Sequence, residues 1–147
     1  MKKKYKGIDL FCGIGGFRLA MNSSQVECVF SSDNDKFAQQ TYEANFHEVP
    51  TGDIKAVDEK DIPKFDILTA GFPCQPFSYA GEKQGFNDEV RGTLFFDVCR
   101  ILEYHKPPMV FLENVKGLKS HDKGKTLQTV LDTLKTVSYT HLRAHET

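Results

Sequence analysis

The chain has 147 residues, 39% of them hydrophobic, with 12 Phe, 5 Tyr and no Trp. That length suits one domain with a real core, and no run approaches the ~18 apolar residues of a membrane span or the apolar stretch of a signal peptide. A formal net charge of −1 excludes a broadly basic surface, so any contact with nucleic-acid phosphate has to come from local patches or from protein outside this stretch.

Taken in chain order, residues 4–11 read as a first strand ending in Ile8-Asp9-Leu10-Phe11. Cys12-Gly13-Ile14-Gly15-Gly16 follows as a tight glycine loop, and a helix starts at Phe17. Residues 26–30 form a second strand, closed by Ser31-Ser32-Asp33-Asn34-Asp35, and residues 36–45 form a helix. A short third strand is expected near residues 47–50, ahead of Gly52-Asp53-Ile54. Residues 65–70 make a fourth strand, followed by a long loop rich in Gly and Pro. Leu94, Val98, Ile101 and Leu102 stand at helical spacing and predict a helix over 94–105. Pro107-Pro108 separates it from a fifth strand at 109–112, and residues 126–134 read as a last helix. Strands alternating with helices argue for an α/β fold with a doubly wound, mostly parallel sheet. No repeat or linker divides residues 1–137, and residues 138–147, with neither alternation nor a helical stripe, read as a frayed tail.

The four cysteines, Cys12, Cys28, Cys74 and Cys99, include no CxxC pair, and the five histidines show no metal spacing. No metal site is expected, and the thiols read as free in a reducing cytoplasm.

A strand, a glycine loop and a helix make a turn that cradles nucleotides, because glycine lets the backbone approach a ligand and the helix start offers N–H groups. The ribose partner should be an acid at the end of the second strand, about 20 residues on, and Asp33 stands there. The loop is G-x-G-G rather than G-x-G-x-x-G, which favours an adenosyl ligand without phosphates. Packing alone could also explain the glycines, and Asp33 and Asp35 could be solvated turn residues.

Gly71-Phe72-Pro73-Cys74-Gln75-Pro76-Phe77-Ser78 follows the fourth strand directly. Pro73 and Pro76 bracket Cys74 and stiffen the loop, and open α/β sheets bind ligands at the carboxyl ends of their strands. Glu113-Asn114 ends the fifth strand at the same edge. A thiolate is a soft nucleophile that adds to an electron-poor ring carbon, and a neighbouring carboxyl group can engage a ring nitrogen and draw charge away from that carbon. The bland alternatives are a small buried thiol for Cys74 and a surface or capping acid for Glu113. The proline flanks and loop position count against the first.

Together these residues resemble the prokaryotic and phage DNA cytosine-5 methyltransferases, over residues 7 to about 135. Asp9-Leu10-Phe11-Cys12-Gly13-Ile14-Gly15-Gly16-Phe17 is similar to the family's cofactor loop, and residues 71–78 to its catalytic motif. Arg91-Gly92-Thr93-Leu94-Phe95-Phe96 and Glu113-Asn114-Val115-Lys116 resemble the two motifs that follow. The resemblance implies a Rossmann-like fold that binds S-adenosylmethionine and methylates a cytosine flipped out of duplex DNA. Cys74 would add to ring carbon 6, and Glu113 would engage ring nitrogen 3 and the exocyclic amine. Phe11, Gly13, Gly15, Asp33, Asn34, Asp53, Ile54, Pro73 and Leu94 would line the cofactor site. Gln75, Ser78 and Asn114 would meet the substrate or belong to the loop that closes on it. Asn34 departs from the pattern, standing where a larger residue often covers the adenine.

The family continues past this chain with an Arg-x-Arg strand pair, a target-recognition region and a final helix. The resemblance fades from about Val137. The expectation is therefore an N-terminal catalytic part, inactive on its own, from a monomeric enzyme with a cognate restriction endonuclease as an implied partner. Competing readings are a tRNA cytosine-5 methyltransferase, a cofactor-binding fragment without activity and, third, a nicotinamide dehydrogenase, which explains neither Cys74 nor Glu113.

Overall fold

The computed structural model describes residues 2, 4–73, 94–137 and 139. They fall into two compact units, Met1–Phe72 with Pro107–Glu113, and Pro73–Lys106 with Asn114–Thr147.

The first unit is built on a sheet of β1 (Tyr5–Leu10), β2 (Val26–Ser32), β3 (Ile67–Gly71) and β4 (Met109–Glu113). The strand order is β2-β1-β3-β4, and every pair is parallel. β1 is central. Its residues 7–10 are buried in succession, as expected of a strand covered on both faces. Ile8, Leu10, Leu68 and Ala70 are fully buried and form the middle of this unit's core. β4 alternates exposed and half-buried positions, which suits a strand at the sheet edge among the described residues.

α1 (Gly16–Asn22) follows β1 and packs on β1 and β2. α2 (Lys36–Phe46) follows β2, with Asp35 accepting the Ala38 N–H as its cap. The two helices are joined by Arg18, which is 9% exposed. Its guanidinium donates to both Glu48 carboxylate oxygens at 2.6 and 2.9 Å, and to the Tyr42 hydroxyl at 3.2 Å. A planar fork suits this bidentate grip. Arg18 also lies over the Phe46 ring, 5.5 Å from its centroid.

The expected alternation of strands and helices is present, with one correction. Residues 47–50 form no strand. His47 takes a left-handed conformation at the end of α2 and donates its N–H to Glu43 O. Glu48 is drawn to Arg18, and Pro50 has no N–H to give to a ladder. Only Thr51 joins the sheet, as a single parallel bridge to Ser32. The remaining elements shift by a few residues at most. β3 starts at Ile67, leaving Phe65 buried just before it.

In the second unit, α3 (Leu94–His105) buries Val98, Ile101 and Leu102 of the expected stripe together with Phe95, Asp97 and Cys99, while Leu94 is only half-buried. Short 3-10 turns at Lys116–Lys119 and His121–Gly124 lead into α4 (Lys125–Thr136). α4 buries Thr126, Val130, Thr133 and Leu134 on one face. No helix among the described residues is long and apolar enough to cross a membrane.

Gly15 is the tightest point of the first unit. It has φ +97°, and a Cβ there would stand 2.1 Å from the Phe46 ring. Gly15→Ala adds left-handed strain to this clash and should destabilise the protein by about 2 kcal/mol or more. A melting temperature lowered by roughly 4–8 °C is expected by calorimetry. An unchanged melting temperature would show that Phe46 does not close on the loop.

Candidate active site

The parallel register sets the geometry of the site. Leu10 pairs with Ser32 on one side and Ala70 on the other, and Ala70 pairs with Leu112, so Ser32, Leu10, Ala70 and Leu112 form one row across the sheet. The next residue on each strand is Asp33, Phe11, Gly71 and Glu113. Four residues of the expected motifs thus leave the sheet side by side at its carboxyl edge. At ~4.8 Å per strand the row spans roughly 14 Å. The connection leaving β1 goes to β2 on one side, and the one leaving β3 goes to β4 on the other. This makes the edge between β1 and β3 the topological switch point where open α/β sheets bind ligands.

At the β1–β2 end, Asp33 holds the glycine loop. Its Oδ2 accepts the Gly13 N–H at 2.7 Å and its Oδ1 accepts the Asp35 N–H at 2.8 Å. The backbone of Asp33 is fixed too, by an N–H donated to Thr51 O and a carbonyl that accepts from the Gln39 side chain. Each carboxylate oxygen keeps a second acceptor position. Phe11 is half-buried with φ 55°, a left-handed turn that costs a non-glycine residue about 1–2 kcal/mol. Gly13 has φ +54°, and a Cβ there would meet nothing within 4 Å, so the loop faces open space. Asn34 is exposed beside Asp33. Asp53 lies two residues beyond the Thr51 bridge and caps the short turn at Ile54–Ala56. The Ile54 side chain is 2% exposed and belongs to the core, which leaves its backbone as the part able to meet a ligand.

At the β3–β4 end, Glu113 is exposed opposite Gly71. A Cβ on Gly71 would stand 3.1 Å from Glu113 Oε2, so the carboxylate lies over the glycine. Asn114 and Pro73 belong to the second unit, as does Leu94 in the first turn of α3. Asn114 is half-buried, its Oδ1 accepting the Val115 N–H, while Pro73 is exposed and Leu94 half-buried. Cys74, Gln75 and Ser78 lie outside the described residues.

The other thiols are poor nucleophiles. Burial pushes the Cys12 thiol far above its ordinary range, raises Cys28, and raises Cys99 to about 12.

One residue of the site was passed over in the sequence. Asp9, which the sequence shows only as part of the first strand and the loop motif, is fully buried on β1 below the loop. Its Oδ1 accepts the Thr69 hydroxyl at 2.8 Å, while its Oδ2 has no hydrogen-bond partner among the described residues. Ser32 Oγ, in the adjoining strand, is likewise buried and unpartnered. Burial raises the Asp9 pKa to about 6, against the lowering effects of the Thr69 hydroxyl and the Arg18 backbone and charge, and Asp33 adds a smaller upward push. The signal available in the sequence was an acid inside an otherwise apolar strand end, Ile8-Asp9-Leu10-Phe11.

A parallel sheet with a glycine loop tied to an acid after its second strand, and a carboxylate at the end of its fourth, defines an α/β protein whose motif residues gather at the carboxyl edge. The chain belongs to the C-5 cytosine-specific DNA methylase family, which it matches over residues 5–143. It is 58% identical over 137 residues to type II methyltransferase M1.ScrFI of Lactococcus lactis subsp. cremoris, covering 92% of this chain and 35% of that enzyme. To type II methyltransferase M.HhaI of Haemophilus parahaemolyticus it is 57% identical over 132 residues, covering 90% of this chain and 40% of that enzyme. The chain therefore spans between a third and two-fifths of the length of these relatives. Among solved structures it is similar to a DNMT2 mutant of Spodoptera frugiperda, with a TM-score of 0.69 and 27% identity over 91% of this chain and 41% of that one. A methyltransferase encoded within a prophage of E. coli, at 20% identity and a TM-score of 0.67 over 90% of this chain and 38% of that one, shares the fold.

Asp9 gives the site a testable pH signature. Burial lifts its pKa from the ordinary 3.8 of an aspartate to about 6, so its contribution is fully present below pH ~4 and is lost as pH rises through ~6. Above that pH the ionised carboxylate costs on the order of 3 kcal/mol. Asp9→Asn should remove this slope. Relative to wild type, the variant should gain melting temperature between pH 4 and 8. A difference between the two proteins that stays flat over that range would contradict the burial of an ionisable Asp9.

Proposed function

We propose that the protein is a DNA cytosine-5 methyltransferase that moves a methyl group from S-adenosylmethionine to carbon 5 of a cytosine turned out of duplex DNA. The observation that supports this reading is the paired row Ser32, Leu10, Ala70 and Leu112, after which the next residues in the chain are Asp33, Phe11, Gly71 and Glu113. Cys74 follows Gly71 by three residues in the sequence.

The residues present fit an adenosyl cofactor. Asp33 keeps acceptor positions for ribose hydroxyls, and Phe11 offers a ring to the adenine. Asn34, Asp53 and the Ile54 backbone stand on the same side, while Gly13 and Gly15 keep the loop close to the ligand. Pro73 and Leu94 are further proposed contacts. The absence of a full G-x-G-x-x-G loop suits a ligand without phosphates. Two acids, Asp9 and Asp33, sit at or below the loop, and the unpartnered Asp9 Oδ2 favours a cationic ligand over an anionic one. S-adenosylmethionine, when bound, supplies an electrophilic methyl group on a sulfonium centre.

The chain's own residues then divide the work. Cys74, as a thiolate, adds to carbon 6 of the ring. Glu113 hydrogen-bonds ring nitrogen 3 and the exocyclic amine, holding a proton at the nitrogen so that charge leaves the attacked carbon and carbon 5 becomes nucleophilic. After methylation, loss of the carbon 5 proton lets the Cys74 sulfur leave by elimination. Gln75, Ser78 and Asn114 are proposed to contact the flipped nucleotide. The names of the relatives support a type II methyltransferase, and a restriction-modification role with a cognate endonuclease as partner, a cytoplasmic location and a monomeric state belong to the same proposal. Residues 1–137 are proposed as the cofactor-binding catalytic part, and residues 138–147 as a tail outside it.

Duplex DNA carrying 5-fluorocytosine cannot lose the carbon 5 group as a proton and should trap the full-length enzyme covalently when cofactor is present. Cys74→Ser should abolish the adduct on denaturing gels. An adduct that persists in the variant would remove Cys74 from the mechanism. An adduct formed with tRNA in preference to duplex DNA would move the enzyme to tRNA.

A further inference from the structure

The formal net charge of −1 conceals a strongly basic segment. Residues 116–125 read Lys116-Gly-Leu-Lys119-Ser-His121-Asp122-Lys123-Gly-Lys125 and carry four lysines against one aspartate, so the rest of the chain holds a formal −4. Lys116, Lys119, His121, Lys123 and Lys125 are all exposed. Lys116, Lys123 and Lys125 make no ion pair among the described residues. Like charges held this close repel one another, and unpaired lysines of one sign serve as counter-charge for an anionic partner.

The backbone here is fixed in an unusual shape. Asp122 and Lys123 both lie in the left-handed region, at φ 47° and 55°, and Gly124 follows at φ 86°. Two consecutive non-glycine residues in this region cost about 1–2 kcal/mol each. The tight turn that carries Lys123, within the second 3-10 segment and just before α4, thus comes at the expense of local stability. His121 is tied to the buried Thr126 at 2.6 Å, which anchors the turn to α4.

The segment begins three residues after Glu113. Chain geometry alone keeps the Lys116 Cα within about 11 Å of the Glu113 Cα. A group that engages the base of a flipped nucleotide has that nucleotide's own phosphates as close neighbours.

We propose that Lys116, Lys119, Lys123 and Lys125 form a docking surface for the phosphodiester backbone of duplex DNA. This rests on the reading of the protein as a DNA methyltransferase given above, and it assigns part of the non-specific, electrostatic DNA binding to a segment of which only Lys116 belongs to a motif quoted for the chemistry. Four exposed lysines within ten residues match the repeating charge of a phosphate backbone better than a single anion.

The test is the salt dependence of binding, measured by fluorescence anisotropy with a labelled mixed-sequence DNA duplex and this chain. Each phosphate contact contributes about 0.9 to the slope of log affinity against log salt. Replacing Lys116, Lys119, Lys123 and Lys125 with Gln should lower that slope by about 3 to 4 and weaken binding at least tenfold at low salt. The equal charge change Lys2→Gln, Lys3→Gln, Lys4→Gln and Lys6→Gln serves as control and should leave the slope near wild type. Circular dichroism checks the fold, and should the fourfold variant unfold, Lys123→Gln and Lys125→Gln alone should each lower the slope by about 0.9. A cluster variant with an unchanged slope, a control that loses as much, or a wild-type chain that does not bind would each overturn the proposal. So would cluster-dependent binding that prefers duplex RNA. Cys74→Ser protein should bind with the wild-type slope, so covalent trapping that persists in Cys74→Ser while the slope is retained would count against the catalytic reading and leave the docking surface standing.

Discussion

The constraint on which the rest depends is the parallel pairing of β1 with both β2 and β3. Parallel strands end at one edge, and this register ends them in one row, so residues far apart in sequence leave the sheet together: Phe11, Asp33, Gly71 and Glu113. A one-residue slip in any strand would turn its side chains to the other face of the sheet. The core is what prevents the slip, since Ile8, Leu10, Leu68 and Ala70 are fully buried and have no solvent face to turn toward.

Above that row the loops are held by polar contacts rather than by packing. Asp33 ties the first loop to the second through Gly13, and Arg18 ties α1 to the end of α2 through Glu48 and Tyr42. The Arg18 grip holds the Glu48 carboxyl below its usual range, while burial pushes the Tyr42 hydroxyl up to about 12, so both stay in their hydrogen-bonding forms at neutral pH. Asp9 runs against this pattern. It is a buried acid with one oxygen unpartnered among the described residues, and its ionisation weakens the fold to keep a negative charge beneath the glycine loop. Such a group is the kind of local cost that functional sites carry and cores do not.

The sequence displayed the parallel sheet because strand-like runs alternate with helical stripes, and the stripe in α3 is the clearest of these. The strand, glycine loop and helix were legible from the glycines, whereas the hydrogen bond from the Gly13 N–H to Asp33 was not expected, because the sequence pointed Asp33 toward a ligand. Other features were not legible, for physical reasons. The expected strand at residues 47–50 failed because a left-handed His47, the pull of Arg18 on Glu48, and Pro50 outweigh local strand preference. Asp9 escaped notice because burial is not visible in a single polar letter within an apolar run. The basic turn at residues 116–125 disappeared into a net charge near neutrality, since a sum over the chain carries no positions. Cys74, Gln75 and Ser78 lie outside the described residues, so their placement rests on the motif and on the sheet that leads to it.

The central claim is that Cys74 and Glu113 act on one cytosine. Its most direct test is exchange of tritium from carbon 5 of labelled cytosine in duplex DNA, because loss of that label requires the ring to be activated and then released. The full-length enzyme should release tritium. Cys74→Ser should release none, and Glu113→Gln should be slower by a factor of about 100 or more, the usual contribution of a positioned acid. A Glu113→Gln enzyme that exchanges tritium at the wild-type rate would contradict the account.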